Sequence, residues 1–175
     1  NVLGDPPPGS INAVTLAASG TTGVEIAGGG RLHLAGLVTT HAVTLDAFDG
    51  VAWLERADAS GPSDNLHVVV VGSLASVMTT GIETLTIDSS AWLAGAPSAI
   101  QLNFSDAGTV VAAGHWDLAI SGMQATHLIA DDFSGSSLRV ITGNETGTQF
   151  DLSALGVAVT AVGAAGGDTF TFDRV

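Results

Sequence analysis

The chain has 175 residues, enough for one domain with a sizeable core. It carries 23 glycines, no cysteine, and a formal net charge of −13 from 17 carboxylates against four arginines and no lysine. That balance offers no basic footprint for nucleic acid or for insertion at an anionic membrane, and without cysteine there are no disulfides or thiolate metal sites.

Only 12% of residues are charged while 46% are apolar. Disorder needs the opposite balance, and frequent glycine opposes helix, so the composition predicts a folded β protein. The longest aliphatic run, Val68 to Val71, is far short of the roughly 20 residues of a membrane helix. Short strands and the absence of tyrosine argue against a transmembrane barrel. The chain opens at Asn1 without an initiator methionine or signal peptide, as expected of a fragment or processed form.

Residues 1–9 contain Asp5-Pro6-Pro7-Pro8-Gly9, which predicts an extended linker or N-terminal arm. A single domain is expected over 10–175. Short apolar triplets then recur about every ten residues, each closed by Gly, Ser, Asp or Asn. They are Val14-Thr15-Leu16, Val24-Glu25-Ile26, Leu32-His33-Leu34, Val43-Thr44-Leu45, Val51 to Leu54, Leu66 to Val71 and Leu85-Thr86-Ile87. The second half adds Ile100-Gln101-Leu102, Val110-Val111, Leu118-Ala119-Ile120, Leu128-Ile129, Leu138-Arg139-Val140, Phe150-Asp151-Leu152, Val157-Ala158-Val159 and Phe170-Thr171-Phe172. Alternation in a strand sends the outer two residues of each triplet inward and the middle one out.

Between Leu66–Val71 and Glu83–Ile87 the chain reads as a Gly-, Ser- and Thr-rich bend. Many short strands and a narrow core fit a solenoid better than a seven-stranded sandwich. The fold class expected is all-β, a right-handed parallel β-helix or β-roll-like solenoid, with an irregular β-sandwich as the alternative. Three strands to a rung would give about five rungs spaced ~4.8 Å apart. Ser89 to Gly95 and Leu152 to Leu155 are the places for a helical turn, with Pro97 ending the first.

Gly81-Ile82-Glu83-Thr84-Leu85-Thr86-Ile87, preceded by Ser63-Asp64-Asn65-Leu66, resembles the spacing of bacterial S-layer and RTX-type surface proteins. Gly163-Ala164-Ala165-Gly166-Gly167-Asp168-Thr169-Phe170-Thr171 resembles one RTX calcium-binding nonapeptide, with Ala164 in place of its second glycine. The resemblance implies a secreted or cell-surface bacterial protein, a calcium-stabilised coil, and a role in surface layers or adhesion. An RTX ion sits between successive nonapeptides, and one copy is present here.

Calcium takes carboxylate and carbonyl oxygens, which turns supply. The turn carboxylates are Asp46, Asp49, Asp58, Asp64, Asp88, Asp131 with Asp132, and Asp168. Of these, Asp168, Asp131, Asp132, Asp64 and Asp88 are the candidate metal ligands, Asp168 foremost from the nonapeptide. Each, taken singly, also suits a solvated turn. The histidines His33, His41, His67, His115 and His127 show no zinc spacing, and His33 and His67 fall at outward or rim positions of strands.

A glycan-active enzyme would need facing carboxylates, for which Asp117, Asp131, Asp132 and Asp151 are available. No G-x-S-x-G, Walker or Rossmann motif occurs. Trp53, Trp92 and Trp116 would bind sugar if exposed together. Asn103-Phe104-Ser105 and Asn144-Glu145-Thr146 fit the glycosylation sequon, and read equally as ordinary strand and turn residues. The function expected is therefore a structural, self-associating surface module forming homo-oligomers, layers or filaments. A carbohydrate-binding or adhesive module that meets surface polysaccharide is the alternative, and an enzyme comes third.

Overall fold

The computed structural model describes residues 23–38, 42–57, 65–91, 97–133, 137–143, 146–155 and 157–173. The proline-rich arm and the first triplet lie outside these. In chain order the strands are β1 (Gly23–Ala27), β2 (Arg31–Leu37), β3 (Ala42–Asp46), β4 (Val51–Arg56), β5 (Asn65–Val71), β6 (Leu74–Thr80), β7 (Thr84–Asp88) and β8 (Ser98–Ser105). There follow β9 (Thr109–Gly114), β10 (Leu118–Met123), β11 (His127–Phe133), β12 (Ser137–Thr142), β13 (Gln149–Leu152), β14 (Ala158–Val162) and β15 (Thr169–Phe172). No helix occurs among the described residues. Residues 89–91 are irregular, and Leu152 to Leu155 closes a turn through a 3.3 Å Leu155 N–H bond to the Leu152 carbonyl.

The odd-numbered strands form an eight-stranded sheet and the even-numbered strands a seven-stranded one, each in sequence order. Every pairing is parallel and joins a strand to the next but one. The chain is thus a two-walled β-solenoid that lays one strand in each wall per rung. The register on the odd sheet runs Gly23, Ala42, His67, Thr86, Val111, Ile129, Asp151, Thr171. Steps of roughly 20 residues separate these partners, as in a stacked repeat.

Two expectations are corrected. Among the described residues rungs hold two strands, not three, because consecutive strands change sheet at each corner. The supposed bend after Val71 is β6, a full strand of the even sheet between β4 and β8. Its inward residues are Ala75, Val77 and Thr79, one of them small and one polar, so its apolar signal is weak. Thr79 is accommodated by hydrogen bonds with the Ser105 hydroxyl and Asp106 Oδ1, both at 2.8 Å.

Like residues stack along the inside. Leu66, Leu85, Val110, Leu128, Phe150 and Phe170 make one column. Ala75, Ile100, Ile120, Val140 and Ala161 make its counterpart on the other wall. The first five residues of the odd-sheet column are buried, and each fully buried side chain of this size contributes about 1.5–3 kcal/mol. Phe150 and Phe170 stack with centroids 4.5 Å apart and planes 8° from parallel.

Corners repeat as well as strands. Asp46 pairs with Val71, so the residues that follow, Ala47 and Gly72, occupy the same corner on successive rungs. Both are left-handed, with φ of 46° and 56°. Ala47 is held there by donating its N–H to the Val71 carbonyl at 2.8 Å. Gly72→Ala should therefore cost about 1 kcal/mol, and Ala47→Gly should cost nothing or raise stability by up to about 1 kcal/mol. Chemical denaturation of the two variants checks the pair; a loss on Ala47→Gly would contradict the corner geometry.

Candidate functional site

Pleating leaves each sheet with one outward face, and the two faces differ in chemistry. On the odd sheet the outward side chains include Glu25, Asp46, Asp88, Asp131 and Asp151, and no arginine. On the even sheet they include Arg31, Arg139 and a single carboxylate, Glu55. The even face also carries a row of ring and thioether side chains. His33, Trp53, Met78 and Phe104 are register partners across β2, β4, β6 and β8. Phe104 is 69% exposed and Leu74, at the start of β6, 64%. A bulge in β8 turns Phe104 outward: Ser76 faces Gln101, yet Met78 faces Phe104, one residue further on.

A second bulge, at Gly122 in β10, lies against the first. Gly122 has φ of 66°, and a Cβ there would overlap the Asn103 carboxamide. Asn103 thus lies within a strand with its carboxamide against the neighbouring rung, and the hydroxyl of its sequon partner Ser105 is buried and bonded to Thr79.

Each face holds one histidine–carboxylate pair on the same diagonal. His33 Nε2 lies 2.7 Å from Glu55 Oε2, and His67 Nε2 lies 2.9 Å from Asp88 Oδ2. In both, the acid stands one rung on and two residues along. His33 also stacks on Trp53, with centroids 3.8 Å apart and planes 9° from parallel. The Trp53 indole N–H donates to the Thr80 hydroxyl at 2.9 Å. One face of the indole is thereby covered by the imidazole and closed to a sugar. Trp92 lies outside the described residues, and Trp116 sits in the corner before β10, three even-sheet strands beyond Trp53.

The candidate metal ligands are dispersed. Asp64 lies outside the described residues. Asp88 ends β7 and accepts from His67 and, at 2.7 Å, from the Ser90 N–H. Burial alone would raise its carboxyl; the Ser90 hydroxyl and N–H and the His67 ring more than offset this and hold it below the usual range. Asp131 and Asp132 are part of β11 and not of a turn, correcting their expected position, and Asp131 is exposed. Asp168, in the corner before β15, accepts the Thr148 N–H at 2.8 Å, and its carboxylate fills the space where a side chain on Gly163 would stand. Asp168 is thus a corner brace, as is Asp106, which takes the Gly81 N–H at 2.6 Å. Among the described residues no three His, Asp or Glu side chains gather in a way that could hold a metal ion.

Asp151 lies beside Ile129 of β11, while Asp117 stands on the other wall, taking the Ser137 hydroxyl at 3.0 Å. The four carboxylates considered for glycan hydrolysis are therefore not one cluster. The Ser153 hydroxyl and N–H hold Asp151 below the usual range. A general acid needs the opposite shift, so neither Asp88 nor Asp151 has the character of a proton donor at neutral pH.

A polar groove of about 420 Å³ runs along the corners that lead into β7, β9 and β11. Glu83, Thr84, Asp106, Thr109, Thr126 and His127 line it. Thr84, Thr109 and His127 are register partners, so hydroxyl and imidazole repeat at the rung spacing. Sequence reading missed both the groove and the histidine–acid diagonals. A signal for the diagonals is present, since each acid follows its histidine by one rung plus two residues: 22 residues for His33–Glu55 and 21 for His67–Asp88.

Compared with family models, curated proteins and solved structures, the chain matches none.

Asp88 gives a pH prediction. Its carboxyl is held lower in the folded than in the unfolded chain, so its contribution is complete above the unfolded value of about 4 and is lost as pH falls through the folded one. Asp88→Asn should be less stable than the parent protein at pH 7, and the gap should close towards pH 2. Thermal melts across that range check this; a gap independent of pH would show that the charge of Asp88 contributes nothing.

Proposed function

We propose that this chain is a structural, self-associating module of a bacterial extracellular surface, comparable in role to S-layer and RTX-type adhesive proteins. The observation that carries the reading is the set of large apolar side chains held on strands and facing solvent. Leu74 and Phe104 are 64 and 69% exposed. They sit on β6 and β8, adjacent strands of the even sheet. Apolar surface spread over strands suits a macromolecular partner better than a small substrate. A second copy of the chain would cover it.

Calcium enters this reading as a counter-ion. Five outward carboxylates on one sheet attract divalent cations without forming a coordination cage, and neutralising them eases the approach of a second acidic molecule. Static light scattering on the purified chain, from micromolar to millimolar, should show mass rising with concentration, more so in calcium than in chelator. A strict monomer throughout in both buffers would overturn the proposal.

The groove supports a second reading, carbohydrate binding. Its repeated threonine hydroxyls, with Glu83 and His127, match the donors and acceptors of a polysaccharide laid along the rungs. On a glycan array in millimolar calcium this reading expects binders whose signal falls about tenfold on Thr109→Val, the loss of one hydrogen bond. An array without binders would remove it.

A further inference from the structure

The two walls of the solenoid are complementary to each other. The odd face presents Glu25, Asp46, Asp88, Asp131 and Asp151; the even face presents Arg31 and Arg139 against Glu55 alone. Both have an apolar centre. On the odd face Val111 and Ile129 are register partners, with Ile129 38% exposed. On the even face the row from Trp53 through Met78 to Phe104 plays that part. The walls also share one axial repeat, because each rung contributes one strand to each. Side-chain rows on one wall therefore keep step with rows on the other along their whole length.

We infer that the odd face of one copy docks on the even face of the next. This rests on the reading of the chain as a self-associating module and names the surface it uses. The alternatives are worse matched: odd against odd opposes two sets of five carboxylates, and even against even leaves four arginines facing two glutamates. Seven strands at ~4.8 Å and about 18 Å of strand length give roughly 600 Å² per face, or about 1,200 Å² in total. That lies at the lower end for a specific contact and fits an assembly that forms with concentration. The contact is heterologous: each copy keeps one face free, so association continues as an open row perpendicular to the sheets.

The test uses the full chain and light scattering at low salt. Arg31→Glu with Arg139→Glu reverses the even face; Glu25→Arg, Asp131→Arg and Asp151→Arg together reverse most of the odd face. Each set alone should weaken association about tenfold or more, and both sets in one chain should restore it to within about threefold. The odd-face set makes the chain less acidic, so an effect of net charge alone would strengthen association; the docking model expects the reverse. Recovery in the combined variant shows that the substitutions fold. If both sets leave association unchanged while Val162→Lys with Phe172→Lys abolishes it, the copies join by their ends and the face-to-face contact is wrong, although self-association stands. A parent protein that stays monomeric overturns both.

Discussion

The structure depends on one constraint, the in-register parallel ladder between each strand and the next but one. Parallel partners cannot be joined by a tight hairpin, so the chain must travel to the opposite wall and back before it pairs again. That excursion fixes the rung length, and here it lays a strand in the second sheet. It also places each residue on its equivalent one rung earlier, which is why Leu85 lies on Leu66 and Ile120 on Ile100. A core built this way is narrow, and each side chain has to suit the ones above and below it.

The corners obey the same constraint with polar chemistry. Where the chain leaves a strand its N–H groups lose their ladder partners, and buried ones must be satisfied. Side chains from the neighbouring rung supply the acceptors. Ser73 receives the Phe48 N–H at 3.1 Å and donates to the Leu45 carbonyl at 2.8 Å. Asp106 serves Gly81, and Asp168 serves Thr148. Aspartate at a solenoid corner thus has work to do within the protein, independent of any ion. The residue types that suggest calcium coordination are the same ones that close a backbone hydrogen bond, and only the partner distinguishes the two.

This bounds how much could be read from residues alone. The apolar triplets are legible because inward positions demand branched or aromatic side chains, and fourteen of the fifteen fall within the described residues as strand or strand edge. The strand that escapes, β6, fills its inward sites with Ala75, Val77 and Thr79, and the last is satisfied by a network no local window contains. The number of strands per rung was also illegible. Spacing along the chain measures the distance between corners, whereas rung size depends on how far each corner turns the chain. The site was less legible still, because a face is assembled from residues one rung apart. His33 with Glu55 and Thr84 with Thr109 become neighbours only once the register is known.

The ladder runs along the solenoid axis, so its bonds point in the direction in which rungs are stacked. A tensile load applied along that axis falls on one interstrand seam at a time and peels the coil like a zip. Each rung that lets go releases roughly 20 residues, or some 65 Å of slack, while the rungs behind it stay closed. A load across the axis meets many seams in shear together. Such a coil is compliant lengthwise and stiff crosswise, and it absorbs a pull by paying out chain in even instalments.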